Sequence, residues 1–160
     1  MQTASLNSSP NKILSGLSNA DQALMHPHLE SVPLELRRVL EVPNKTIEHS
    51  YFIEDGLASI VAGNGHQKRL EVGLIGREGM TGLAIVLGGK SSPHENFMQV
   101  AGSGQRISAD NMRGVMDQSR SLERAFLLFA QSFMNQTAST ALSNGTATVE
   151  RAFGAMACHG

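Results

Sequence analysis

Cysteine is nearly absent from this chain of 160 residues: Cys158 is the only one. A single cysteine excludes an intramolecular disulfide framework and a cluster held by several thiolates, and it fits a reducing, cytoplasmic setting. Tryptophan is missing and aromatic residues amount to 4%, too few for the stacking platforms that bind single-stranded nucleic acid. A basic excess is missing too. The formal net charge of −1 argues against a free-standing nucleic-acid binder. No apolar run approaches the roughly 20 residues of a membrane span, so no membrane association is expected. Residues 1–10 are rich in Ser and Asn without the apolar core of a signal peptide, and they read as a loose tail.

What is present suffices for one compact domain. Hydrophobic residues make up 41% and charged residues 17%, a mixture that buries a core. From Asn11 to Glu30 the pattern is helical and short, with Ser18 as a helix start, Leu17, Leu24 and Met25 as an apolar side and Pro27 as a stop. Short β-type runs follow. Leu34, Leu36 and Leu40, between Pro33 and Pro43, read as a first strand. Tyr51 to Ile53 precedes a turn at Asp55-Gly56, and Leu57 to Ala62 precedes Asn64-Gly65, a strong hairpin signal. The return strand alternates, with Leu70, Val72 and Leu74 opposite Arg69, Glu71 and Gly73. Glycines at 73, 76, 79 and 82 and an apolar segment from Leu83 to Leu87 interrupt the strands. Glu95 to Ala101 and Gln105 to Ser108 read as two more strands, and Asp110 to Gln118 as a short helix.

The last element is a helix from Ser121, its expected cap, to Ser143, with Asn144-Gly145 as C-cap and a further turn or two around Thr148 to Ala157. Leu122, Phe126, Phe129 and Phe133 fall on one stripe by their 4-3-4 spacing. Leu127, Ala130, Met134 and Ala141 form a second. The first stripe suits two roles: a core face packed on the strands, or a seam between subunits.

This order of elements resembles the Crp/Fnr transcription regulators. The resemblance is carried by Leu29 to Leu34, by Ile47 to Phe52 running on to Gly56, by Val72 to Gly82, and by Ser91-Ser92-Pro93; the Gly-Arg-Glu-Gly-Met run from Gly76 is its most specific part. It spans Asn11 to Asn144. The resemblance implies a mainly β fold with flanking helices: an antiparallel β-roll, or double-stranded jelly roll, over 11–118 and a long C-terminal dimerisation helix over 119–160. It implies a sensory, effector-binding module, not an enzyme, that dimerises through Leu122, Phe126, Phe129 and Phe133. Too few residues follow Gly145 for the helix-turn-helix domain of such regulators, so DNA contact is expected only through a domain outside this chain.

The resemblance also locates a ligand site at Gly76, Arg77, Glu78, Gly79, Met80, Ser91 and Ser92. Members that bind cyclic nucleotides hold the phosphate on a short helix N-terminus and an Arg, and the ribose on a Glu. Here Arg77 falls where that Glu belongs and Glu78 one place late. The Arg has no counterpart; its place falls near Ser92 and Pro93, with only Lys90 and His94 close by. A lysine does not restore the bidentate fork. No cofactor is therefore expected. A cyclic nucleotide, another small anionic effector and no ligand at all stay open. The histidines, at 26, 28, 49, 66, 94 and 159, do not form the His-x-His cluster on strands of a metal-binding barrel. Two other readings remain beside the regulator: a cupin-like small β-barrel enzyme, which would require a metal, and a ligand-free scaffold acting through its dimer surface.

Overall fold

The structure, a computed structural model, describes residues 5–63 and 69–158, the side chains of 144–158 excepted. The apolar and β-branched runs pair into one antiparallel sheet flanked by helices. Chain order is α1 (Lys12–Gly16), α2 (Asn19–Met25), β1 (Glu30–Leu34), β2 (Val39–Glu41), β3 (His49–Ala62), β4 (Leu70–Ile75), α3 (Leu83–Val86), β5 (Glu95–Ser108), α4 (Ala109–Gln118) and α5 (Arg120–Cys158). The 14-residue strands β3 and β5 pair along their length, β1 and β2 pair with β5, and β4 pairs with β3.

Several boundaries differ from those read in the sequence, each for a local reason. The first expected strand is two. The chain leaves β1 at Leu34, turns through Arg37 at φ 68° and re-enters as β2, leaving Leu36 exposed. Pro33 lies inside β1, tolerated because β1 is an edge strand. Asp55-Gly56 is not a turn but an irregularity within β3, where the pairing register shifts and Gly56 takes φ 91°. The two strands expected between Glu95 and Ser108 are one. Where β3 pairs with β4 the register shifts between Ile60 and Val61, so the pairing passes over Val72 of β4 and breaks the simple alternation. Ala62 pairs with Leu70 across the expected hairpin; the Asn64-Gly65 tip lies outside the described residues.

The helices form where side chains satisfy their first free N–H groups. Ser18 caps α2 as expected, Asn11 caps α1, and Ser108 caps α4. For α5 the cap is Ser119, whose Oγ accepts from the Leu122 N–H at 3.2 Å, and not Ser121. The Ser121 hydroxyl is committed to Asp21, to which it donates at 2.5 Å. Asn144-Gly145 does not end α5, which continues to Cys158. Nor are residues 5–10 loose. Leu6 is buried, and Ser9 donates to the Glu54 carboxylate at 2.6 Å.

Two apolar clusters result. One joins Leu14, Met25, Phe52, Met80, Ile107 and Met112 to Leu122 and Phe126, between the helices and one end of the sheet. The other, with Val32, Leu34, Ile53, Ile60, Ile75 and Met98, lies on the inner face of the sheet. No helix among the described residues is long and apolar enough to cross a membrane.

Candidate functional site

Helix α5 lies across β4 and the ends of the sheet, and its Phe residues decide how closely. Phe126 is fully buried, its ring 5.8 Å from that of Phe52, and Leu122 is buried beside it. Phe129 and Phe133 reach backbone where glycines leave room. A Cβ on Gly79 would stand 2.6 Å from the Phe129 ring, and one on Gly73 would stand 2.6 Å from the Phe133 ring. The glycine spacing seen in the sequence therefore seats these two rings. The stripe expected as a subunit seam is packed on the chain's own sheet, and Leu122 and Phe126 have no surface left for a partner. Ala130 of the second stripe is buried as well, whereas Leu127, Leu128, Met134 and Leu142 are exposed.

Beside the contact of Phe133 with Gly73, the helix borders a cavity of about 530 Å³. The floor is Ile60, Val72 and Ile75; one side is α3 with the segment from Ser91 to His94; the roof runs from Phe133 to Ala141. Three buried polar residues stand in this apolar lining, and one of them, Thr81, is engaged by the Tyr51 N–H, which donates to its Oγ1 at 3.0 Å. Glu41, from β2, accepts from the Gly82 N–H at 2.6 Å, and its burial pushes the carboxyl above the usual carboxylate range against the effect of that bond. Asn96, from β5, is the register partner of both Glu41 and Ile60, is 1% exposed, and has no hydrogen-bond partner for either amide atom. A buried amide left without a partner costs about 1–3 kcal/mol, so Asn96 is a position where a further hydrogen-bonding group fits.

A cleft of about the same volume opens on the outer side of the sheet, lined by Arg37, Val39, Arg69, Glu71 and Glu95. Its polar groups largely answer one another: Arg69 donates to Glu95 at 2.8 Å and Ser59 to Glu71 at 2.7 Å. The cavity under α5 is thus the stronger candidate.

Only part of the expected ligand set reaches that cavity. Ser91 and Ser92 line its rim. Gly76, Arg77, Glu78 and Gly79 instead form the tight turn after β4: Gly79 N–H donates to the Gly76 carbonyl at 3.1 Å, and the Glu78 carboxylate accepts from the Gly76 N–H at 3.1 Å. The turn is fastened from the N-terminal side, because Lys12 N–H donates to the Arg77 carbonyl and the Asn11 amide to the Gly79 carbonyl, both at 2.8 Å. Met80 is core, bridged to Phe52. The short helix begins at Gly82, whose φ of 79° turns the chain into it, not at the motif six residues earlier. Glu41 and Asn96 were missed. The one sequence signal for Asn96 is its place two residues before Met98, on the same inward face of a strand.

Among the described residues no three His, Cys, Asp or Glu side chains come together as a metal site. No family model matches the chain, and no curated protein matches it. Solved structures do. The fold is that of cyclic nucleotide-binding domains, including those of Crp/Fnr-family regulators. The chain is similar to the regulatory subunit of a cAMP-independent protein kinase A from Trypanosoma brucei, in a mutant bound to cAMP, with 15% identity, TM-score 0.66, and coverage of 88% of this chain and 48% of that one. It is similar to the c-di-GMP-responsive global regulator CLP of Xanthomonas campestris, with 15% identity, TM-score 0.65, and coverage of 78% and 63%. A Crp/Fnr-family regulator from Eubacterium rectale gives 10% identity, TM-score 0.67, and coverage of 79% and 60%. The chain thus spans about half to two thirds of the length of these relatives.

Proposed function

We propose that this chain is the effector-binding and dimerising module of a Crp/Fnr-type transcription regulator, working in the cytoplasm. The observation that carries this reading is the half-open cavity between the sheet and α5, because any molecule filling it touches the sheet and the long helix at once. We read the sheet as the β-roll of such regulators, over 11–118, and 119–160 as the helix that reports on it. A ligand favouring one position of α5 shifts the population of that position, and a separate helix-turn-helix domain of the regulator turns the shift into DNA binding. The role is recognition, with no reaction assigned.

Dimerisation would use the outward side of α5, where Leu127, Leu128 and Leu142 are exposed, rather than the stripe through Phe126. Apolar residues repeated along an exposed helix suit a two-fold contact with the same helix of a second copy. Light scattering should find a dimer at high micromolar concentration and a folded monomer for Leu128→Asp. A wild-type monomer at that concentration would remove the dimer from the account.

The effector reading is tested by a thermal-shift screen of small molecules, cyclic nucleotides included, on the chain and on Ala138→Phe, which fills the cavity from the roof. A compound that binds the native state raises the melting temperature. The reading expects hits on the wild type that vanish in the filled variant. Hits that persist there would place the ligand elsewhere.

A further inference from the structure

We infer that the cavity under α5 takes an uncharged, mainly apolar small molecule bearing a hydrogen-bonding group such as a carboxamide, held by Asn96 and Glu41, and that it discriminates against anions. The inference rests on the reading of this cavity as an effector site and adds the chemistry of the effector.

The lining divides into two parts. Ile60, Val72, Ile75, Leu83, Phe133 and Met134 give an apolar body of wall. Glu41 and Asn96 sit side by side across the β2–β5 pairing and form a compact polar end. Asn96 offers two N–H donors and a carbonyl acceptor, all unpartnered. A carboxamide is the complement of that amide, donor to acceptor and acceptor to donor. One apolar body with a few convergent polar groups is the usual constitution of a small-molecule site.

Charge decides against the alternative. Among the described residues that line the cavity there is no Lys or Arg; the only ionisable side chains are Glu41 and His94. A phosphate or carboxylate entering the polar end would lose its water beside a buried carboxyl group, with no guanidinium or ammonium to replace it. Burial already drives Glu41 toward its neutral form, which tolerates a neutral ligand and gains nothing from an anionic one. Of the possibilities left open by the sequence, the small anionic effector is set aside on these grounds.

A matched pair of probes tests this: naphthamide and naphthoate, alike in shape and differing in charge, with cyclic AMP as a third titrant. Isothermal titration of the whole chain should show naphthamide binding at least tenfold more tightly than naphthoate or cyclic AMP. Asn96→Leu should erase the preference by weakening naphthamide alone. Because that variant alters a buried site, Ala138→Phe on the exposed helix provides an independent check and should abolish naphthamide binding. Naphthoate or cyclic AMP binding as tightly as the amide, and blocked by Ala138→Phe, would overturn the ligand class while leaving the effector site in place. Naphthamide binding unchanged by Asn96→Leu would overturn the recognition. No binding by any probe, or binding indifferent to Ala138→Phe, would overturn the inference together with the effector reading.

Discussion

The two halves of the described part of α5 share one backbone and do opposite work. From Leu122 to Ala130 the helix is sealed onto the sheet and the N-terminal helices, with Leu122, Phe126 and Ala130 fully buried. From Phe133 to Ala141 it is a roof over open volume. The division follows from what lies beneath. Under the first half, Phe52, Met80 and Met112 fill the space. Under the second, Ile60, Val72 and Ile75 stop short, and the polar pair Glu41 and Asn96 occupies ground that apolar side chains would close. One helix thus meets a filled core along its first half and a half-open cavity along its second.

Truncating one ring in each half should separate the two. Phe126→Ala should cost about 3–5 kcal/mol in urea unfolding, as for a fully buried aromatic, and Phe133→Ala less than half of that, because its ring already borders a cavity. Equal losses would mean that the halves are packed alike.

The first half has a polar part whose removal should cost less. The buried Asp21 of α2 accepts from Ser119 at 2.6 Å and from Ser121 at 2.5 Å, which ties α2 to the first turn of α5. Burial opposes its charge, but the hydrogen bonds from Ser119, Ser121 and Ser18 outweigh it and hold the carboxyl below the usual carboxylate range. Asp21→Ala should lose about 1.5–3 kcal/mol at neutral pH, the scale of hydrogen bonds to a charged group. A carboxyl lowered by folding contributes above its unfolded value and stops contributing as pH falls through its folded one. The gap between wild type and Asp21→Ala, measured by urea unfolding, should therefore close in acid; a gap that is constant with pH would contradict the role.

Glu41 has the opposite sign and the smallest effect. Its carboxyl is raised by folding, so its contribution is complete below the usual carboxylate range and is lost as pH rises through the folded value. Glu41→Gln keeps an acceptor for the Gly82 N–H and should change stability by less than about 1 kcal/mol in acid, on the scale of one neutral hydrogen bond. Its melting temperature should gain on the wild type as pH rises from about 4 to about 8, across the carboxylate range. A wild type that gains on the variant would show Glu41 to be buried as a stabilising anion.

The sequence is informative where structure is decided locally. Ser18 announces α2 because a cap depends on residues two or three positions away, and the alternation at Asn96 and Met98 follows the pleat. It misleads where a long strand accommodates irregularities. Asp55-Gly56 carries the chemistry of a turn, yet β5 pairs on both sides of it and holds it within β3. At the site, Ser91 and Ser92 are legible, whereas Glu41 and Asn96 stand 55 positions apart in the chain and become a pair only through the register of β2 on β5. The Phe stripe was legible as a stripe. Which of its two roles it takes depends on Gly73 and Gly79, whose missing side chains admit the rings to the sheet.

On the proposed reading, a molecule in this cavity is sensed by the second half of α5 and not by the first. Hydrogen–deuterium exchange along α5, with and without saturating naphthamide, tests it most directly. Exchange should slow from Phe133 to Leu142 on binding, with exchange from Leu122 to Ala130 unchanged. Uniform protection of the whole helix, or protection confined to the outer cleft around Arg69 and Glu95, would contradict it.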